Sequence, residues 1–380
     1  MNRGQRRFGW LRLGFLLAAG LMLLGLVLPV RELATPGLAV PWPVLALTLI
    51  AALLVAMAAW RGGGGFAVAL GFGGAASGAA ATLALLHDPS VAGAAASGYW
   101  WMVIAVWLAG AVGVMQLAAL RPKSLAARRA LDLAVPLVFG AMVFYLWEVL
   151  VRGFGVPTVI LPAPSAAAAK FASSLPILAA DFVQTFIRGV LIGYVIGCAA
   201  GLLVAMLAQR YAYLGRGLLP LGNFFSALPL VGVAPIMVMW FGFDWPSKAA
   251  VVALVTFFPM LVNALAGLSA SGAIERDLMR SYGADHRQTL TKLYLPSALP
   301  FIFNALKINA TLALIGAIVA EFFGTPTQGI GFRISTEAGR MAIDMVWAEI
   351  ALAALAGMAF YGLVALAERA TTFWHPSYRT

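Results

Sequence analysis

Ten apolar stretches, each close to the length of a bilayer crossing, punctuate this chain and leave few folds open to it. They fall near residues 13–30, 42–60, 66–86, 100–120, 133–151, 182–207, 217–242, 247–270, 301–323 and 346–367. A helix needs about 20 predominantly apolar residues to span the hydrocarbon core. With 62% of the residues hydrophobic and 10% charged, a soluble domain could not cover its apolar side chains. The expected fold is therefore all-α, a polytopic membrane protein of about ten transmembrane helices. The formal net charge of +11 would suggest nucleic acid in a soluble protein. Here the basic residues flank apolar spans, so membrane orientation accounts for them and no nucleic-acid partner is expected.

The first span follows Arg3, Arg6, Arg7 and Arg12. Its apolar core is long for a signal peptide and no small-x-small site follows, so it reads as an uncleaved anchor. A chain that starts in the cytoplasm puts seventeen of the 25 basic residues inside and seven outside, with Lys307 within a span. The outer seven are Arg31, Arg152, Lys170, Arg188, Lys248, Arg333 and Arg340. That bias obeys the positive-inside rule and leaves both termini in the cytoplasm. The lone cysteine, Cys198, excludes an internal disulfide, and His87, His286 and His375 have no metal-ligand spacing.

A basic cytoplasmic linker, 121–132, divides the chain. Residues 1–120 form a four-span accessory unit with a Gly62–Gly65 hinge, and 133–372 form a six-span core with a loop at 271–300; a short cytoplasmic tail, 373–380, follows. In the core, Gly189, Gly193, Gly197 and Gly201 recur every fourth residue, a stripe that suits close helix packing. The span 217–242 carries Pro220, Pro229 and Pro235 with Asn223 and Ser226. A broken helix is tolerated at membrane depth only against protein or water, so it reads as a kinked structural helix or the wall of a translocation path. Glu148, Glu321 and Glu349 stand near span ends, where interface anchoring is slightly favoured over a functional role; Glu321 joins the candidate path. The segment 163–178 looks like a short surface helix.

The loop 271–300 is long and charged in a chain whose other loops are short. Met279, Tyr282, His286, Leu290 and Leu293 fall at helical intervals, Gly283 permits a bend, and Pro296 is expected to stop the helix. Such a helix could lie on the membrane or set an apolar ridge into a partner's groove.

Asp277-Leu278-Met279, three residues, Gly283, nine residues, then Leu293-Tyr294-Leu295-Pro296 resembles the EAA signature of binding-protein-dependent ABC importer permeases. Asp replaces the usual Glu, and Leu and Met replace the two Ala. The runs 161–165, 240–248, 281–284, 295–300, 320–324 and 329–331 are similar to the nitrate, sulfonate and taurine permease group, over residues 133–372. The resemblance implies a permease homodimer that moves a small nutrient, a cytoplasmic ABC ATPase dimer that holds ATP and Mg, and an extracytoplasmic binding protein. It places the chain in a bacterial inner membrane, with 275–296 as the coupling helix. No cofactor or catalytic role is expected of this chain, which has no phosphate-binding G-x-x-x-x-G-K-[ST] loop. An ion-gradient-driven secondary transporter and a membrane scaffold or sensor are the alternatives.

Overall fold

The computed structural model describes residues 3–30, 40–61, 64–88, 91–122, 124–226, 229–324 and 327–374. Gly62 and Gly63 of the expected hinge and His375 lie outside them. The chain is all-α. In order, the helices are α1 (Arg3–Val27), α2 (Trp42–Arg61), α3 (Gly65–Leu85), α4 (Ser97–Ala119), α5 (Leu125–Gly153), α6 (Pro164–Ser173), α7 (Leu175–Phe182), α8 (Ile192–Arg210), α9 (Ala212–Ser226), α10 (Leu230–Phe241), α11 (Trp245–Leu268), α12 (Ala273–Ser281), α13 (His286–Thr289), α14 (Leu295–Glu321), α15 (Ile330–Gly339) and α16 (Ile343–Thr371). Two π-helical stretches, Val183–Leu191 and Leu290–Tyr294, fuse α7 to α8 and α13 to α14. Each fusion makes a continuous helix of 36 residues. At 1.5 Å per residue such a rod is about 54 Å long, well beyond the apolar core of a bilayer, so part of it must tilt or project.

Among the described residues nine helices are long and apolar enough to cross a membrane. The tenth expected span, 217–242, is two shorter helices, α9 and α10, with Pro229 extended at the start of α10. Proline lacks the amide that would continue the ladder, and its ring disfavours helical geometry in the residue before it. The expected surface helix 163–178 is likewise divided. Only α6 stands apart; a turn at Ser174 precedes Leu175, where the long membrane helix begins.

The chain divides into two compact units, 1–167 and 168–380, whereas the sequence suggested a divide at 121–132. In the first unit, α1 to α4 pack through small residues such as Ala18, Ala51, Ala58, Ala105 and Ala109. Helix α5 joins them along one face, where Val149 is buried with Tyr99 and Met102 and Tyr145 shares a hydrogen bond with Thr82 at 2.9 Å. Its opposite face exposes Leu133, Leu137 and Phe144, as suits a lipid-facing surface. Glu148 is not an interface anchor: it is buried, accepts the amide and hydroxyl of Ser165 at 2.9 and 2.6 Å, and pairs with Arg152.

The second unit is built on α8, α11 and α14. The glycine stripe of α8 lies along α11: a methyl group at Gly193 would sit 2.5 Å from the Ala249 carbonyl, and one at Gly201 2.5 Å from that of Phe257. The bare backbone of α8 is what permits this approach. Asn309 of α14 ties the three helices together, its Nδ2 donating to the Thr256 carbonyl at 2.7 Å and to Cys198 Sγ at 3.2 Å. Lys307 pairs with Glu368 of α16 at 2.8 Å.

Candidate functional site

Two places in the second unit concentrate polar chemistry. The first surrounds the start of α15. Asp181, on the last turn of α7, accepts the Gly329 amide at 2.6 Å and Arg333 Nε at 2.8 Å. Thr185 Oγ1 accepts the Ile330 amide at 2.8 Å and donates to Glu321 at 2.8 Å. Glu321 Oε2 accepts the Gly331 amide at 2.7 Å. Three successive amides that begin α15, with no partner inside their own helix, are thus met by side chains from two other helices. Gly329 has φ +136, and a side chain there would collide with the Glu321 carboxylate.

The π-helical stretch carries Gln184, Thr185 and Arg188. A π turn inserts an extra residue and re-phases the faces beyond it, a feature common at functional sites. Gln184 extends the network to Asp244 at 3.0 Å, and Arg188 donates to Gln184 at 3.3 Å. The Trp245 amide, followed by the Gln184 carboxamide, holds the Asp244 carboxyl below the usual carboxylate range. Hydrogen bonding to Asp181 raises the Arg333 guanidinium above its ordinary value.

These contacts correct several expectations. Glu321 is only 2% exposed and Glu349 is fully buried, so neither is an interface anchor. Glu321 holds α15 in place, its carboxylate accepting from Thr185 and from the Gly331 amide. Lys248 is no outer-loop residue: it lies in α11, 2% exposed, with Nζ donating to the Phe243 and Gly324 carbonyls. Sequence reasoning passed over Asp181, Thr185, Gln184 and Asp244 altogether. Asp181 offered a usable signal, being an acid inside the apolar run 175–200, where a charge is costly unless it serves a purpose.

The second place is the connection between α11 and α14. Helix α12 ends at a turn in which Gly283 has φ +64, and Asp285 then caps α13, exchanging hydrogen bonds with Gln288 at 2.6 and 3.0 Å. Asp277 pairs with Arg280 at 3.4 Å. Ile274 (84% exposed), Leu278 and Tyr282 (81%) form an open apolar ridge at four-residue spacing. The ridge differs from the expected one because the helix breaks at Gly283. Met279 and His286 are half-buried, and Leu290 and Leu293 are half-buried beyond the break, with Leu290 against the unit's core. Pro296 does not stop the helix. It lies just beyond the π turn and within the continuous helix, which runs on to Glu321.

The broken span holds the remaining candidates read from the sequence. Pro229 precedes α10 and Pro235 lies within it. The side chains of Asn223 and Ser226 lie outside the described residues.

Three relatives align with this chain over about half to two thirds of its length. The formylaminopyrimidine transport permease protein ThiX of Halalkalibacterium halodurans is 31% identical over 54% of this chain and 81% of its own length. The riboflavin transport system permease protein RibX of Chloroflexus aurantiacus is 30% identical over 65% of this chain and 91% of its own. The taurine transport system permease protein TauC of Escherichia coli is 33% identical over 49% and 64%. The family described as "Binding-protein-dependent transport system inner membrane component" matches residues 193–373, from Gly193 of the α8 stripe through α16, with both polar places but for Asp181, Gln184, Thr185 and Arg188. The chain therefore belongs to this family of ABC importer permeases, as a multi-pass inner membrane protein.

Proposed function

We propose that this chain forms the membrane pathway of an importer whose energy comes from a separate cytoplasmic ATPase pair, which holds ATP and Mg and docks on α12 and α13. The observation that carries this reading is the apolar ridge of Ile274, Leu278 and Tyr282, exposed on a charged connection between two membrane helices. Water-exposed apolar side chains at four-residue spacing suit the groove of a partner protein. Asp277, Met279, Gly283, His286, Leu290, Leu293 and Pro296 would then shape the ridge and anchor it to α14. The charge bias favours both termini in the cytoplasm, which puts this connection on the ATPase side.

Two copies of the chain would enclose the path, with the broken pair α9 and α10 as its wall and Pro229, Pro235, Asn223 and Ser226 facing it. An extracytoplasmic binding protein would deliver the cargo. The relatives' names point to a small polar organic nutrient of the pyrimidine, flavin or sulfonate kind. Residues 1–120 would act as an accessory to this core.

The tagged chain, purified from its native membrane, is expected to bring an ATPase with it. Leu278→Asp combined with Tyr282→Asp should cut both co-purification and uptake by about tenfold or more, since buried interface anchors carry most of the binding energy. Both positions are exposed, so the fold should survive. Uptake that continued without ATP and collapsed with the ion gradient would overturn the reading.

A further inference from the structure

Helix α4 ends at Ala119 and α5 begins at Leu125, so two membrane-crossing helices are joined by a turn of five residues. So short a turn must lie at the depth of the lipid headgroups. Ser124 caps α5, accepting the Ala127 amide at 3.2 Å, and Arg128 reaches back to donate Nε to the Pro122 carbonyl at 3.1 Å. That bond holds the guanidinium over the turn.

A cleft of about 620 Å³ opens at this point, within the range of roughly 300–1,000 Å³ typical of ligand sites. Its charged lining is Arg121, Arg128 and Asp132, all exposed, and Leu117, Leu131 and Val135 form its apolar wall. Asp132 follows Arg128 by one helical turn, yet forms no ion pair with either arginine.

Two cations, one anion and an apolar wall at headgroup depth match one kind of molecule. We propose that this cleft binds a phospholipid whose headgroup carries both a phosphate and a primary ammonium, that is, phosphatidylethanolamine. The guanidinium forks of Arg121 and Arg128 take the phosphate oxygens. Asp132 accepts from the ammonium, and an acyl chain lies along Leu117, Leu131 and Val135. A glycerol headgroup offers Asp132 only neutral hydroxyls and no ammonium. A choline headgroup has no N–H to donate, and free phosphate has no use for the apolar wall. Basic pockets between membrane helices are known to select lipid headgroups.

The full chain, delipidated in mild detergent, can be titrated with phosphatidylethanolamine, phosphatidylglycerol and phosphatidylcholine of matched acyl chains and read by native mass spectrometry. The wild type is expected to retain phosphatidylethanolamine about tenfold better than the other two. Arg121→Ala with Arg128→Ala should abolish the preference. Asp132→Asn should keep binding but shift the preference to phosphatidylglycerol. All three positions are exposed, so thermal unfolding in lipid-free detergent should not change. Equal retention of the three lipids, or an unaltered preference in Asp132→Asn, would overturn the proposal. So would displacement of the lipid by inorganic phosphate alone.

Discussion

Asp181→Ala is expected to destabilise the second unit by about 3–5 kcal/mol, the usual effect of removing one partner from a buried ion pair. Asp181 is fully buried and serves two donors, the Gly329 amide and the Arg333 guanidinium. Alanine leaves the amide without an acceptor and the guanidinium, whose side chain is 20% exposed, without its counter-charge. Asp181→Asn keeps an acceptor for Gly329 and should lose less. Glu321→Gln removes a charge but keeps one oxygen for Thr185 or Gly331; a loss of about 1–3 kcal/mol is expected, that of one poorly matched buried group. Thermal unfolding of the purified protein in detergent reads the series, and a double-mutant cycle with Arg333→Gln isolates the pair. A Tm for Asp181→Ala equal to that of the wild type would show that α15 is held by something else.

Gly197→Val should be at least as damaging. A Cβ at this position would overlap Thr256 Oγ1 and the Ala253 carbonyl, and a helix backbone cannot yield as a flexible side chain can. Helices α8 and α11 would have to separate over the region where Cys198, Val252 and Met260 are buried. Overpacking typically costs about 1–3 kcal/mol, and more where rigid backbone blocks relief, as it does here. The stripe itself supplies the control. At Gly189 the nearest atom to a new Cβ is 3.5 Å away, an ordinary contact, so Gly189→Ala should be close to neutral. The expected series runs from a native Tm at Gly189→Ala to little recoverable protein at Gly197→Val. Equal tolerance at both positions would contradict the packing described.

The helices were largely legible in the sequence because hydropathy records where lipid must be met. The break at Pro229 was legible too, since proline acts locally. The packing of α5 was not: only one narrow face is buried, around Val149, and its apolar residues look alike whether they face lipid or protein. The polar cluster was hidden for another reason. Thr185 meets Glu321 across 136 positions and Asp181 meets Gly329 across 148, so each residue appears alone in the chain. Lys248 was counted on the outer side by a charge map that cannot separate a residue at the surface from one buried inside the helix packing. Met279, Leu290 and Leu293 suggested one helix because their spacing ignores the left-handed turn at Gly283. Of the two polar places, the exposed connection could be found whole from sequence, whereas the buried cluster showed only as the isolated acids Asp181 and Glu321.

The continuous helix from His286 to Glu321 has a mechanical consequence. One end adjoins the exposed connection at α12 and α13; the other carries the carboxylate that grips the start of α15. A rod of this length, pivoted near its middle, moves its ends in opposite directions by about 2–3 Å for a tilt of about 5°. A push on the exposed end would therefore arrive at α15 as a displacement comparable to a hydrogen bond, with the sense reversed. The π turn at Leu290–Tyr294 is where such a lever would first flex, so stiffening that turn should lengthen its stroke.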